Sequence, residues 1–219
     1  FQAEDGIRDG IVRLVGSEMC IRDSAHLDHI AGFDELRAFC WHRNAPLPIF
    51  AGPETMANLK RTFPWAFVAH EHRGYVQPDP HVIKGPFKFG DLRIIPLPVE
   101  HARAETFGFR FELPGGHSVG YISDVKTIPD STLPLLADLD LLAIDALRPG
   151  RHATHMSLDE ALAAIDLIAP RETLLTHLSH ELDATTLELP GSVTMAHDGL
   201  KLHFQPTPGS DIVREPISP

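Results

Sequence analysis

The segment Ala25-His26-Leu27-Asp28-His29 places two imidazoles and a carboxylate side by side, immediately before an apolar-periodic stretch that begins at Ile30. Such side chains do not all enter an apolar core cheaply, because a buried polar group costs free energy unless it is paired. A loop at the C-terminal end of a strand can aim them at one point. Their N and O donors suit Zn²⁺ or a similar divalent ion. Taken alone, the segment is also compatible with a polar loop and a helix cap.

Four more polar residues stand at the ends of apolar runs. His101 follows IIPLPVE, Asp124 follows VGYIS, Asp145 follows LDLLAI and His177 follows TLLT. Strand-end loops are where open α/β sheets place their sites. Each residue read singly is equally a strand terminator; in this order and after such runs, chance is a poor account of them together.

From Ala25 onward the pattern is that of an α/β protein, with short apolar strands between helices and Pro- and Gly-rich turns. Strands are expected at 47–51, 92–99, 107–113, 118–123, 139–146, 173–176 and 193–196. Helices are expected at 30–39 and 54–63, with Pro53 at a tolerated first-turn position. A third helix starts at Ser157, where Ser157 and Glu160 have capping-box spacing and Pro170 follows the end. Residues 64–90, rich in Pro, His and Gly, read as a long excursion near the active site, and residues 205–219 as a polar, proline-containing tail. No internal repeat is visible.

Composition narrows the function. A length of 219 residues suffices for one domain with its own core, and 43% hydrophobic with 22% charged residues is ordinary for a globular chain. No apolar run reaches the ~18 residues of a membrane span. The 30 acidic against 19 basic side chains give a net charge of −11, which argues against nucleic acid as a partner. Two cysteines, Cys20 and Cys40, without a C-x-x-C pattern, suggest neither a disulfide framework nor a thiolate metal site and fit a reducing, cytoplasmic location. Fourteen histidines are the unusual feature, since His is the commonest metal ligand.

Residues 1–24 show neither alternation nor helical periodicity, and lack the apolar core and basic start of a signal peptide. The string, above all SEMCIRDS, resembles translated sequencing-adapter sequence. The expected organisation is therefore a non-native segment at 1–24, a hydrolase domain at 25–204 and a tail at 205–219.

Over about residues 25–204 the chain resembles the metallo-β-lactamase superfamily, whose signature is H-x-H-x-D-H followed by a distant His, an Asp and a final His. Asp145-Ala-Leu-Arg148, His152-Ala-Thr-His155-Met-Ser and Thr176-His177-Leu-Ser-His180 are similar to the PhnP branch, which cleaves cyclic phosphodiesters. The resemblance implies an αββα sandwich, here truncated at its N-terminus, and two divalent ions, Zn²⁺ or Mn²⁺. It implies His26 and His101 as ligands of the first, Asp28, His29 and His177 of the second, and Asp124 bridging both. His155 would be the general acid, with Asp28 beside it among the catalytic residues, and Asp145, Arg148 and His180 would orient ligands or meet substrate. The family pattern asks for a histidine at position 24, where this chain has Ser24. His70 and His72 read as loop residues at the entrance; His42, His81, His117, His152, His197 and His203 read as surface or structural.

The function so implied is hydrolysis of a small phosphodiester by metal-activated water, in a protein without a membrane partner and with a homodimer admissible. The alternatives are a lactonase, thioesterase or β-lactamase, a tRNA-processing enzyme, or a chain rendered inactive by Ser24, since fold does not dictate substrate.

Overall fold

The computed structural model describes residues 14–15, 19–69, 74–183, 186–205 and 212–214. The chain divides into two units, Phe1–Lys84 with Ala104–Thr106, and Gly85–Arg103 with Phe107–Pro219.

Unit 1 is built on a four-stranded sheet in the order β1-β2-β3-β4. Its elements are β1 (Leu14–Val15), β2 (Cys20–Arg22), the short helix α1 (Leu27–Ile30), α2 (Arg37–Arg43), β3 (Leu47–Ala51), α3 (Pro53–Thr62) and β4 (Pro78–Val82). β2, β3 and β4 run parallel, and β1 pairs antiparallel with β2. Strict alternation makes β3 a strand: Leu47, Ile49 and Ala51 are buried and the residues between them only half-buried. They pack with Cys20, Ile30, Phe33, Leu36, Met56 and Leu59 into one core. α3 has no side-chain cap of its own; Glu105 accepts the backbone N–H groups of Glu54 and Thr55 at 3.1 and 3.2 Å, satisfying two donors that a helix start leaves open.

Unit 2 holds a seven-stranded mixed sheet in the order β11-β10-β9-β8-β7-β6-β5. The strands are β5 (Phe87–Phe89), β6 (Leu92–His101), β7 (Ala104–Glu112, counted in this unit from Phe107 onward), β8 (Ser118–Ile122), β9 (Leu141–Asp145), β10 (Glu172–Thr176) and β11 (Val193–Met195), with α4 (Leu158–Ile168) between β9 and β10. A separate antiparallel pair, β12 (Leu202–Phe204) and β13 (Ile212–Arg214), follows. β8, β9, β10 and β11 are parallel, and every residue of β9 is buried, as a central parallel strand requires. α4 lays Leu158, Ala161 and Ile165 into a core with Ile122, Leu142, Ile144 and Leu175. Because β8, β9 and β10 run in one direction, the residues at their C-terminal ends share one edge of the sheet. Those residues are Asp124, Asp145 and His177.

The α/β class is as expected, and each strand expected between 47 and 196 is present within a few residues at its ends. Four expectations need correction. The helix expected at 30–39 is a 3₁₀ turn over Ala31–Leu36 that leads into α2, because Gly32 leaves helical geometry (φ −84°, ψ 24°). The excursion at 64–90 contains a 3₁₀ turn at Pro64–Phe67 and the strands β4 and β5. Residues 1–24, read as patternless, supply β1 and β2, and Arg22, Asp23 and Ser24 are buried. The tail at 205–219 supplies β13, with Ile212 buried. His70 and His72 lie outside the described residues. Among the described residues no helix is long and apolar enough to cross a membrane.

Candidate metal centre

In unit 2 the strand ends, with the loop before α4 that carries His155, bring together two buried carboxylates and three imidazoles. His101, the last residue of β6, is buried, and its Nε2 lies 3.7 Å from Asp124 Oδ2. On the other oxygen of that carboxylate, His177 Nε2 stands 3.3 Å from Asp124 Oδ1. Two ligand atoms each about 2.0–2.2 Å from one tetrahedral ion lie roughly 3.3–3.6 Å apart; the His177 spacing of 3.3 Å falls in that range and the His101 spacing of 3.7 Å just beyond it. The tautomer agrees. The His101 Nδ1–H donates to the Thr154 carbonyl at 2.8 Å, which leaves the Nε2 lone pair toward Asp124. His177 holds its place immediately after β10 with φ at 56°, a left-handed backbone that a non-glycine residue adopts at a cost of about 1 kcal/mol or more.

Beside this pair sits Asp145, wholly buried at the end of β9. Its Oδ2 accepts the His155 Nδ1–H at 2.7 Å and the Val125 N–H at 3.1 Å. Its Oδ1, 4.0 Å from His177 Nδ1, makes no hydrogen bond among the described residues. Burial pushes the Asp145 carboxyl above the ordinary carboxylate range, against the hydrogen bonds from His155 and Val125 that favour the charged form. The His155 ring centre is 4.5 Å from that of His101 and 4.8 Å from that of His177. One donor atom from each of Asp145, His155 and His177 falls within 4.8 Å of the others. Two buried carboxylates facing imidazole nitrogens form a donor set of the kind that a divalent cation takes.

In unit 1 the signature segment runs through α1. His29 is buried; its Nδ1–H donates to Asp23 Oδ1 at 2.8 Å, and its Nε2 stands 3.4 Å from Asp28 Oδ2. This is the carboxylate–imidazole arrangement that orients a metal-binding histidine. Arg22 donates to the His29 carbonyl at 2.7 Å and fixes the backbone there. His26 is the half-buried N-cap of α1. Ser24 is buried, and its Oγ accepts the His26 N–H at 3.3 Å, so it works as a turn cap where the family pattern has an imidazole.

Two expected participants stand apart from these clusters. Arg148 turns its Nη2 onto the Arg151 carbonyl at 2.8 Å, within its own loop, and His180 is exposed in the turn after β10. Three residues that the sequence reading passed over come in. Asp23 lay in the segment set aside. His152, read as surface, is half-buried with its ring centre 5.2 Å from that of His155. Lys126 binds the His155 carbonyl at 3.2 Å and both oxygens of Glu160, tying the His155 loop to the start of α4. The H-x-x-H spacing of 152 and 155 was the available signal for His152.

The family described as the β-lactamase superfamily domain matches residues 21–178. The chain belongs to the β-lactamase superfamily. Its fold is the metallo-β-lactamase fold, with mixed α/β sheets, that this superfamily's metal-dependent hydrolases share. Among solved structures, a diphosphatase of the PhnP family is 32% identical, with a TM-score of 0.74 over 84% of this chain and 70% of that one. Zn²⁺-bound PqqB from Methylobacterium extorquens, 18% identical, has a TM-score of 0.62 over 84% of this chain and 72% of that one, a likeness of fold. An octanoyltransferase of Porphyromonas gingivalis is 29% identical over 187 residues, which are 80% of this chain and 36% of that protein. The chain thus spans little more than a third of that relative.

Proposed function

We propose that this superfamily member hydrolyses small phosphodiesters, with divalent ions held by the ligands that the sequence resemblance names: His26, Asp28, His29, His101, Asp124 and His177. The observation that carries the reading is the buried Asp145 gripping His155 Nδ1 at 2.7 Å, with the His155 ring against those of His101 and His177. The similarity to a PhnP-family diphosphatase supports a phosphoryl substrate. When bound, divalent ions supply an acidified water and positive charge for the phosphoryl oxygens.

The chain's own residues do the rest. Asp145 accepts the His155 Nδ1–H and fixes the ring, so Nε2 is the atom that takes up a proton; the imidazolium so formed delivers it to the leaving oxygen and returns to the Nδ1–H tautomer, a step typically worth about 10²- to 10⁴-fold. Thr154 holds His101 in the ligand tautomer, and Asp23 does so for His29. A second reading, an acyl ester or thioester hydrolase, is favoured by the identity with the octanoyltransferase.

The test is hydrolysis of bis(p-nitrophenyl) phosphate and of an octanoyl thioester by the metal-loaded chain and its Ser24→His variant, with bound metal counted in both. Phosphodiester hydrolysis that rises with Ser24→His and falls about 10²- to 10⁴-fold with His155→Ala supports the first reading. Two ions bound, no phosphodiester cleavage and turnover of the thioester would replace it with the second.

A further inference from the structure

Thr154 sets the tautomer of two histidines at once. Its carbonyl takes the His101 Nδ1–H, while its N–H and Oγ1 lie 3.4 and 3.3 Å from His152 Nδ1. A backbone N–H only donates, so His152 Nδ1 is the acceptor, and the neutral ring carries its proton on Nε2. No group among the described residues hydrogen-bonds that Nε2. The neighbouring ring is arranged the other way round. His155 gives its Nδ1–H to Asp145 and keeps Nε2 for proton transfer. Two imidazoles 5.2 Å apart are therefore locked in complementary roles, one a fixed donor and the other a proton carrier.

We propose that His152 is a substrate-binding residue, donating its Nε2–H to a non-bridging phosphoryl oxygen of the group on which His155 acts. This rests on the assignment of His155 above. Three charged groups act on the ring at longer range: Arg148 and Lys126, and against them the Asp145 carboxylate that holds His155. Burial, then the charges of His155 and Arg148, hold the His152 pKa below its ordinary value, the direction that favours the neutral ring, which the contact from the Thr154 N–H to Nδ1 requires. A neutral donor of this kind binds an oxyanion without competing with His155 for the proton.

The test separates binding from chemistry in the metal-loaded protein. His152→Ala should raise KM for bis(p-nitrophenyl) phosphate, and weaken competition by inorganic phosphate, about 10- to 100-fold, the loss of one hydrogen bond to a charged group. It should leave kcat much less affected, whereas His155→Ala should lower kcat. His152→Gln, whose amide nitrogen reaches the position of Nε2, should restore most of the phosphate affinity, and His152→Asn should not. Imidazole ¹⁵N spectra should show His152 protonated at Nε2 and not at Nδ1. A loss confined to kcat, equal behaviour of the Gln and Asn variants, or the opposite tautomer would overturn the proposal. Should the unaltered protein fail to cleave phosphodiesters, the phosphodiesterase reading falls by itself. Phosphate affinity in the same variants then decides His152: a loss in Ala restored by Gln sustains it, and no change refutes it.

Discussion

Asp23 Oδ1 accepts two hydrogen bonds, the His29 Nδ1–H at 2.8 Å and the Ser24 N–H at 2.9 Å. The first sets the ring's tautomer and raises its basicity, and the second holds the carboxylate still. Asp23→Asn keeps the shape and removes the charge, so metal affinity should fall about 10- to 100-fold in competition with a chromogenic chelator; an unchanged affinity would separate His29 from the metal. Asp124, Asp145 and His177 were legible in the sequence because each ends an apolar run, where a polar residue has few other reasons to stand. Asp23 was not, because its meaning lies in a contact six residues away across a turn. His152 was hidden for a related reason: a histidine in a loop says nothing of its tautomer until the acceptor or donor at Nδ1 is known.

α4 begins with a capping box that reads directly from S-L-D-E and is present in the structure: Glu160 N–H to Ser157 Oγ at 3.3 Å, Ser157 N–H to Glu160 Oε2 at 2.9 Å. What the pattern could not show is Lys126, two residues beyond Asp124, which pairs with Glu160 at 2.7 Å. The Lys126 ammonium, then the Ser157 N–H, hold the Glu160 carboxyl below the usual range. A carboxyl depressed on folding stabilises fully above its unfolded pKa, and that stability is lost as pH falls through the folded value. In chelator-treated protein, Glu160→Gln should cost about 1 kcal/mol at neutral pH by denaturant titration, and the difference from the unaltered chain should close in acid below about pH 4. Gly108 in β7 is a second element-level constraint. A Cβ there would meet Ile122 Cγ1 at 2.8 Å and the Tyr121 carbonyl at 2.9 Å, and the backbone atom belongs to a paired strand. Gly108→Ala should cost about 1–3 kcal/mol; a neutral result would mean that β7 and β8 can part there without penalty. Long elements with a clear period were foreseen, whereas β4, β5 and β2 were not. β2 lies in the segment set aside as non-native, β5 is three residues within a Pro- and Gly-rich stretch, and the sequence Pro78-Asp79-Pro80 argues against a strand unless it lies at an edge.

Across the whole molecule, acids and imidazoles gathered at the strand ends are a liability without a cation and an asset with one. A divalent ion that binds the folded chain and not the unfolded one stabilises by RT ln(1 + [L]/Kd), about 2.7 kcal/mol at a hundredfold excess over Kd. The Tm should therefore rise with Zn²⁺ or Mn²⁺ and fall on chelation, by an amount that tracks metal concentration; a Tm indifferent to both would count against a resident metal. The α/β class followed from local patterning, because each helix and long strand carries its own period. The division into two units did not, since it depends on which strands join the same ladder. One feature of the smaller ladder bears on how copies of this protein meet. The Ile83 N–H turns inward to Ala51, so by the two-residue period positions 78, 80 and 82 turn outward, and two of those three are prolines. Among the described residues β4 is the outer strand of that sheet, and its edge thus offers an incoming strand one N–H where it would need three. A strand added along β4 would find carbonyls to donate to but two N–H groups too few, which weakens growth of the ladder from chain to chain at that edge.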